Sequence, residues 1–360
     1  MPSSPSFLFV TCQVGAERAV KNELGLRWPE FRFAYSRPGF LTFKLPVGQS
    51  LEPDFNLQSV FARSYGFSLG KTHAEQIEER VAGMARLTSG HSFDKLHVFD
   101  RDRAAPGERG FEPHISPRAV EAEEAIRRCW PAEAQPLPGG TALARAGESV
   151  LDCVLVEPDE WWIGYHVAGG WASRRPGGMS RPRELPDDAV SRAYRKMDEA
   201  LRWSRLPIEQ SDVAAELGCA PGGSCQALLS RGLTVMGVDP AAMPGVLLEN
   251  PNFRHVRKRA SDVRRSEFRA VKWLCADMNV APQFTLDAVE AIATSRRVRL
   301  RGLLLTLKLL TWELADEVPA YLARIRAWGF PYVRARQLQY NRQEICVVAL
   351  RRKPNPRAKA

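Results

Sequence analysis

Apolar segments alternate with helical segments through the second half of the chain, and this alternation is the strongest constraint on its fold. The four apolar segments cover residues 213–217, 234–238, 271–276 and 302–310. Strands that are apolar on both faces are typical of a parallel sheet covered by helices. The pattern predicts a Rossmann-like α/β domain over residues 191–354, whose mostly parallel sheet ends in an antiparallel pair of strands at 332–340 and 344–351.

Two smaller α/β modules are predicted before this domain. Residues 1–72 show a strand-helix-strand-strand-helix pattern, with the second helix at 57–63, which favours a ferredoxin-like module. Residues 73–167 form a second module. Residues 168–190 are rich in glycine, proline and arginine and are interpreted as a linker, and residues 355–360 as a basic tail.

The charge of the chain favours a polyanionic partner. The formal net charge is +10, and residues 254–269 alone hold seven Lys or Arg against two acidic residues. Nucleic acid suits such a surface, because each neutralised phosphate releases counterions, although charge alone does not require it. No apolar run has the roughly 18–20 residues that a membrane helix needs, and no signal peptide is expected.

The seven cysteines are scattered without a CxxC pair. This spacing predicts neither a metal site nor a disulfide framework. Free thiols in a reducing cytoplasm are therefore expected.

A glycine-rich loop, E-L-G-C-A-P-G-G-S-C at residues 216–225, closes the first apolar strand. Gly218, Gly222 and Gly223 leave the backbone bare for a ligand, and the following helix presents free N–H groups. The loop matches neither the dinucleotide fingerprint nor the phosphate-binding P-loop. Asp239, at the end of the next strand, suits a ribose diol. A nucleoside ligand without a pyrophosphate, such as S-adenosylmethionine, fits this combination.

Polar residues at the ends of other strands predict a catalytic cluster at the same edge of the sheet. Asp277 and Lys308 each close an apolar strand, and Glu344 opens the last one. A lysine beside a carboxylate in a partly dry cleft can accept a proton once desolvation or a second cation favours its neutral form. Lys196, on a helix between small residues, is a candidate for that cation.

These residues resemble a known family. The stretch A-E-L-G-C-A-P-G-G-S is similar to the D-L-G-A-x-P-G-G motif of FtsJ-like RNA ribose 2′-O-methyltransferases, whose Lys-Asp-Lys-Glu tetrad is matched in order by Lys196, Asp277, Lys308 and Glu344. Within this group the chain most resembles the RlmM family, which methylates a cytidine ribose of bacterial large-subunit ribosomal RNA and carries ferredoxin-like and THUMP modules before its catalytic domain.

The resemblance implies S-adenosylmethionine as cofactor and Lys308 as the base, with no metal in the reaction. The cofactor-binding residues that it implies are Glu216, Gly218, Cys219, Pro221, Gly222, Gly223, Ser224, Asp239, Asp262 and Asp277. Among them, Glu216 would meet the methionine amino group, Asp239 the ribose and Asp262 the adenine. The chain departs from the family pattern at Glu216, where Asp is usual, at Ser224, where Trp is frequent, and at Leu309, where Pro is common.

Two alternatives stay open at the level of sequence. The chain could methylate another RNA, such as transfer RNA or a messenger cap, because RNA choice resides in the front modules. It could also be a non-catalytic RNA-binding protein on a methyltransferase scaffold.

Overall fold

The computed structural model describes residues 5–47, 51–52, 54–134, 136–139, 143–180 and 185–353. The chain divides into two compact units, residues 1–182 and 183–360, so the division falls within the predicted linker. The predicted basic tail at 355–360 lies outside the described residues. Among the helices of the described ranges, none is long and apolar enough to cross a membrane.

The first unit is built on one seven-stranded sheet. Its strands follow the order β2-β3-β1-β4-β7-β6-β5, and all neighbours are antiparallel except β5 and β6. Its strands and α-helices are β1 (Phe7–Thr11), α1 (Glu17–Arg27), β2 (Arg32–Arg37), β3 (Phe40–Lys44), β4 (Ser64–His73), α2 (Ile77–Leu87), β5 (Lys95–Asp100), α3 (Pro117–Cys129), β6 (Ser149–Leu155) and β7 (Glu160–Val167).

Strand β4 joins the two predicted front modules into this one sheet. Phe67 in β4 pairs with Leu8 of β1 on one side and with Tyr165 of β7 on the other. Residues 1–72 and 73–167 therefore share a continuous sheet. The assignment of the two halves as ferredoxin-like and THUMP-like stays a prediction.

The sheet of the first unit has an apolar core on each face, because successive side chains of a strand point to opposite faces. On one face, Met84 of α2 and Ile126 of α3 pack on Leu96 and Val98 of β5. The core of the other face includes Phe9, Phe40, Phe99, Val154 and Met179. Met179 is buried in this second core. Residues near it therefore pack onto the first unit, although the sequence predicts them to be part of the linker.

The helix predicted at residues 57–63 is wrong. In the structure this segment is irregular, and the backbone amides of Val60 and Phe61 donate to the Glu23 carboxylate of α1 instead of to carbonyls one turn earlier. Val60 N–H donates to the Glu23 carboxylate at 2.8 Å. Leu57 and Phe61 are buried, so the apolar residues of this segment anchor a loop in the core.

The second unit confirms the predicted Rossmann-like fold. Its sheet has the order β10-β9-β8-β11-β12-β14-β13, in which β8 to β12 are parallel and β14 runs antiparallel between β12 and β13. The strands and α-helices are α4 (Ala193–Ser204), β8 (Val213–Leu217), α5 (Gly223–Leu229), β9 (Thr234–Val238), α6 (Gly245–Leu248), β10 (Phe253–Val256), β11 (Trp273–Asp277), α7 (Pro282–Ala293), β12 (Gly302–Lys308), α8 (Val318–Ala327), β13 (Tyr332–Arg336) and β14 (Glu344–Leu350).

Candidate active site

Four secondary-structure elements bring the predicted tetrad to one edge of the second sheet. Asp277 ends β11, Lys308 ends β12, and Glu344 begins β14. Because β14 runs antiparallel to β12, its first residue lies at the carboxyl edge of the parallel strands, where ligands of such sheets bind. Helix α4 supplies Lys196 to the same place.

The four side chains form a closed ring in which cations and carboxylates alternate. The Lys196 Nζ atom lies 2.7 Å from Asp277 Oδ2 and 2.8 Å from Glu344 Oε1. The Lys308 Nζ atom lies 3.0 Å from Asp277 Oδ1 and also pairs with Glu344 Oε2. Each lysine therefore contacts both carboxylates, and the two positive and two negative charges balance locally.

Burial makes these contacts strong, since charges attract more in a medium of low dielectric constant. The side chains are 16% exposed for Lys196, 14% for Asp277, 20% for Lys308 and 4% for Glu344. Burial opposes the charged form of Lys196, but Glu344 and Asp277 outweigh it and raise the Lys196 pKa. Burial likewise opposes ionisation of Asp277, but the two lysines outweigh it and lower the Asp277 pKa. Lys196 therefore stays positively charged and Asp277 stays negatively charged.

A buried acid that the sequence analysis missed positions the Lys196 helix. Glu199 of α4 is fully buried, and its two carboxylate oxygens accept hydrogen bonds from the backbone N–H groups of Gln339 at 3.1 Å and Tyr340 at 3.0 Å. Asn341, one residue further on, donates its side-chain amide to Glu344 Oε1 at 3.3 Å. Glu199 therefore fastens α4 to the segment that leads into Glu344. The only sequence signal for this role was that Glu199 lies three residues after Lys196.

The glycines of the loop are required by the protein's own packing. Gly222 has a φ of +113°, and a Cβ atom there would lie 2.0 Å from Leu247 Cδ1. A Cβ atom on Gly218 would lie 2.9 Å from the Asp277 carbonyl oxygen, and one on Gly223 would lie 2.3 Å from Ser191 Oγ. These glycines hold the loop close to β11 and to the start of α4. That these glycines also leave the backbone accessible to a ligand stays a prediction.

Asp239 links the loop to the next strand. It follows β9, and its carboxylate accepts hydrogen bonds from the N–H groups of Ala220 at 3.1 Å and Ala241 at 2.8 Å. Its side chain is half-buried, so the carboxylate keeps acceptor capacity for a further donor. Asp262, in a short 3₁₀ turn after β10, is exposed and accepts a hydrogen bond from Ser261 Oγ at 2.8 Å.

The remaining predicted cofactor residues differ in exposure. Pro221 is exposed, whereas Cys219 and Ser224 are buried. Glu216 is 0% exposed, and among the described residues neither of its carboxylate oxygens has a hydrogen-bond partner. Burial, with a smaller contribution from Asp277, raises the Glu216 pKa well above its ordinary value. Glu216 is therefore a buried carboxyl group that no described residue binds, and it is available to a polar group that enters the loop region.

Comparison with known proteins identifies this unit. Residues 189–318 match the model of the FtsJ-like methyltransferase family. This range contains Lys196, Asp277, Lys308 and the glycine loop, while Glu344 lies beyond it. The unit is thus a methyltransferase domain, and S-adenosylmethionine is the cofactor expected for such a domain.

Curated relatives extend the match over most of the chain. The chain is 30% identical over 291 residues to ribosomal RNA large subunit methyltransferase M of Alkalilimnicola ehrlichii, which covers 76% of this chain and 74% of the relative. It is 24% identical to the protein of that name from Hahella chejuensis, over 95% of this chain and 89% of the relative. Against the protein from Tolumonas auensis the identity is 28%, over 55% of this chain and 56% of the relative. The chain belongs to the ribosomal RNA large subunit methyltransferase M family.

Proposed function

We propose that this protein transfers the methyl group of S-adenosylmethionine to a ribose 2′-hydroxyl of RNA, and that its substrate is a cytidine of large-subunit ribosomal RNA. The observation that carries the proposal is the closed ring of Lys196, Asp277, Lys308 and Glu344 at the carboxyl edge of the sheet. The names of the relatives support ribosomal RNA as the substrate.

Within the ring, Lys308 is the residue suited to accept the proton of the 2′-hydroxyl. Lys196 is held in its charged form by the two carboxylates, which raise its pKa. Lys308 has the more exposed side chain of the two lysines, and on this proposal it faces the bound ribose. Asp277 and Glu344 hold its amine in position, and Lys196 supplies the permanent charge.

The cofactor site proposed here lies beside the ring. Bound S-adenosylmethionine would supply a methyl group on a positively charged sulfur, and the bond from the methyl carbon to the sulfur would break as the bond to the ribose oxygen forms, with S-adenosylhomocysteine as the leaving group. Asp239 would hold the ribose of the cofactor, Asp262 the adenine, and Glu216 the amino group of the methionine portion. The carboxyl group of Glu216, which has no hydrogen-bond partner in the part of the chain that the structure describes, fits this ligand, as does the free acceptor capacity of Asp239. Attack of a developing alkoxide on a sulfonium neutralises charge, so a site poor in water favours the reaction.

The RNA is proposed to approach over a basic segment at the same edge of the sheet. Arg257, Lys258 and Arg259 directly follow the carboxyl end of β10 and are all exposed. Parallel strands end at one edge, so this triplet lies on the side of the sheet that carries the ring. Phosphate contacts by such side chains would position the RNA, while base contacts would select the nucleotide.

We also place the protein in the cytoplasm, where ribosomal RNA is processed. All seven cysteines are described and all are free thiols, six of them buried, as expected in a reducing compartment.

The decisive experiment offers methyl-labelled S-adenosylmethionine and deproteinised large-subunit ribosomal RNA to the wild-type protein, to Lys308→Ala and to Lys272→Ala. Lys272 precedes β11 at the opposite end from Asp277 and serves as the matched lysine control. We expect label in RNA with wild type and Lys272→Ala and none with Lys308→Ala. A 2′-O-methyl group blocks alkaline cleavage of the adjoining phosphodiester, so an alkali-resistant dinucleotide carrying the label identifies ribose as the acceptor.

Other outcomes contradict specific parts of the proposal. Label on transfer RNA but not on ribosomal RNA would overturn the substrate. Label in mononucleotides after alkali would overturn the ribose as acceptor. Cofactor binding without transfer to any RNA would favour a non-catalytic RNA-binding protein.

A further inference from the structure

Three polar side chains lie side by side within an apolar face of the first unit, far in sequence from the methyltransferase motifs. His97 is in β5, Asp152 in β6 and His166 in β7, and their exposed fractions are 0%, 1% and 6%. His97 and Asp152 are direct partners in the register of the two parallel strands. Apolar side chains flank them, including Phe99 and Val154.

The cluster is incompletely satisfied by protein atoms. Among the described residues, neither ring nitrogen of His97 has a hydrogen-bond partner, and Asp152 Oδ1 has none either. A buried polar group without a partner costs about 1–3 kcal/mol. Three such atoms in one cluster indicate that something further binds there.

The geometry of the cluster suits a metal ion. One ligand atom from each of the three residues can be chosen such that all lie within 4.8 Å of one another. Asp152 is central: its Oδ2 lies 2.5 Å from His166 Nδ1, and its Oδ1 lies 3.9 Å from His97 Nδ1. In a tetrahedral zinc site with bonds of about 2.0–2.2 Å, neighbouring ligand atoms are about 3.3 Å apart. Small side-chain rotations would therefore close the site.

The second nitrogen of His166 has the partner that a metal-bound histidine usually has. His166 Nε2 lies 2.6 Å from the carbonyl oxygen of Ser173. A histidine that binds metal through one nitrogen generally donates its other N–H to a carboxylate or a backbone carbonyl, which fixes the ring. The Ser173 carbonyl would do so here and leave Nδ1 to the metal.

We propose that His97, Asp152 and His166 form a structural binding site for a divalent transition-metal ion, with zinc as the best match. Two imidazole nitrogens and a carboxylate oxygen hold zinc in three-ligand sites, where a water or another small ligand takes the fourth position. The ion would join β5, β6 and β7 and, through Ser173, hold the following segment on the sheet. The backbone hydrogen bond from Ala144 N–H to the Arg174 carbonyl, 3.0 Å long, anchors the same segment at its next residue.

Cysteine spacing, which predicts no metal site in this chain, carries no information about this cluster. The three proposed ligands are single residues on three strands, and only the sheet brings them together.

The test uses the untagged full-length protein, purified from zinc-supplemented cells and analysed for metal by mass spectrometry. The variants are His97→Gln and Asp152→Asn, with His73→Gln as the matched control, since His73 is an exposed histidine paired with Asp159. We expect about one zinc ion per chain in wild type and His73→Gln, and almost none in the other two. Circular dichroism checks that each variant is folded.

A cobalt titration of the chelated wild-type protein tests the site even if the variants fail to fold. Bound Co²⁺ should show visible bands of a tetrahedral nitrogen-oxygen site without a near-ultraviolet thiolate band, and should raise the melting temperature. A wild-type protein that neither carries zinc nor binds Co²⁺ would overturn the proposal. The Asp152–His166 hydrogen bond would then be the only hydrogen bond among the three residues. A thiolate band, or zinc retained by both variants, would also overturn it, because another site would then hold the metal.

Discussion

Lys308 and Glu344 are direct cross-strand partners: their Cα atoms face each other in the antiparallel register of β12 and β14. Directly opposed residues place their side chains on the same face of a sheet. The contact of Lys308 Nζ with Glu344 Oε2 is thus fixed by the backbone pairing of two strands. A shift of one residue in the register of β12 and β14 would turn one of the two side chains to the other face of the sheet.

Replacing Glu344 with Gln should impair catalysis more than folding. The amide keeps the shape of the side chain but removes the charge that both lysines contact. We expect the rate of methyl transfer to fall by about 10²-fold or more, because positioned acid-base groups contribute on that scale. Cofactor affinity, measured by calorimetry, should change little. Unchanged single-turnover rates would show that Glu344 does not position the base.

Replacing Asp277 with Asn should reduce stability in a pH-dependent way. The lysines lower the Asp277 pKa in the folded state, so its stabilising contribution is present above the ordinary value of 3.8 and is lost as the pH falls through the lower folded value. We expect a loss of about 2–4 kcal/mol at pH 7 by urea denaturation, and a smaller difference from wild type near pH 3.

The matched control for this variant is Asp287→Asn. Asp287 pairs with Arg324 at the surface, where an ion pair contributes about 0–1 kcal/mol. A loss for Asp277→Asn that is equal at pH 7 and pH 3 would contradict the charge-based explanation.

Replacing Glu216 with Gln should make the protein relatively more stable as the pH rises. The folded-state pKa of Glu216 is raised, so its contribution to stability is full below the ordinary value of 4.5 and is lost as the pH rises through the folded value. Glutamine cannot ionise and avoids this loss. The melting temperature of the variant minus that of wild type should increase between pH 5 and pH 8.

Glu209→Gln is the control for Glu216→Gln, because Glu209 is exposed. Its melting temperature should follow wild type across the same range. If the melting temperature of Glu216→Gln also follows that of wild type, burial does not hold the Glu216 carboxyl group neutral.

Replacing Gly222 with Ala should destabilise the second unit. The new Cβ atom would lie 2.0 Å from Leu247 Cδ1, and the φ of +113° is unfavourable for any residue but glycine. We expect a loss of about 2–4 kcal/mol by chemical denaturation, from overpacking and backbone strain together. The double variant with Leu247→Ala, compared with Leu247→Ala alone, should show a smaller loss.

Gly245→Ala offers the contrast within the same unit. Gly245 begins α6, and the nearest atom to an added Cβ is Glu249 Oε1 at 3.7 Å. This substitution should leave stability unchanged or slightly higher. Equal losses for the two glycine variants would refute the steric argument.

Replacing Arg257, Lys258 and Arg259 together with Ala should weaken RNA binding and its dependence on salt. Each phosphate contact that is lost lowers the slope of log affinity against log salt by about 0.7–0.9. The control replaces Arg296, Arg297 and Arg299, which are exposed in the segment that leads into the opposite end of β12. Equal effects of the two triple variants would place the RNA elsewhere on the basic surface.

The Rossmann-like fold could be predicted from sequence because its signals are local. Residues such as Asp277 and Lys308 sit at strand ends, and parallel strands necessarily bring their ends to one edge. The helix expected at 57–63 was wrong because tertiary contacts with Glu23 decide the path of that backbone. Glu199 and His97 were missed because their roles depend on partners distant in the sequence, which no periodicity reveals.

The insertion of β14 between β12 and β13 has a consequence for synthesis of the protein. Lys196 precedes every strand of the second sheet, whereas Glu344 opens β14, which is made after the other six strands of that sheet and completes the ring. A nascent chain whose β14 is still inside the ribosomal tunnel lacks one of the two carboxylates that neutralise the lysines. On the proposed mechanism, competence for methyl transfer therefore arises only after β14 has left the tunnel, later than the rest of the second sheet.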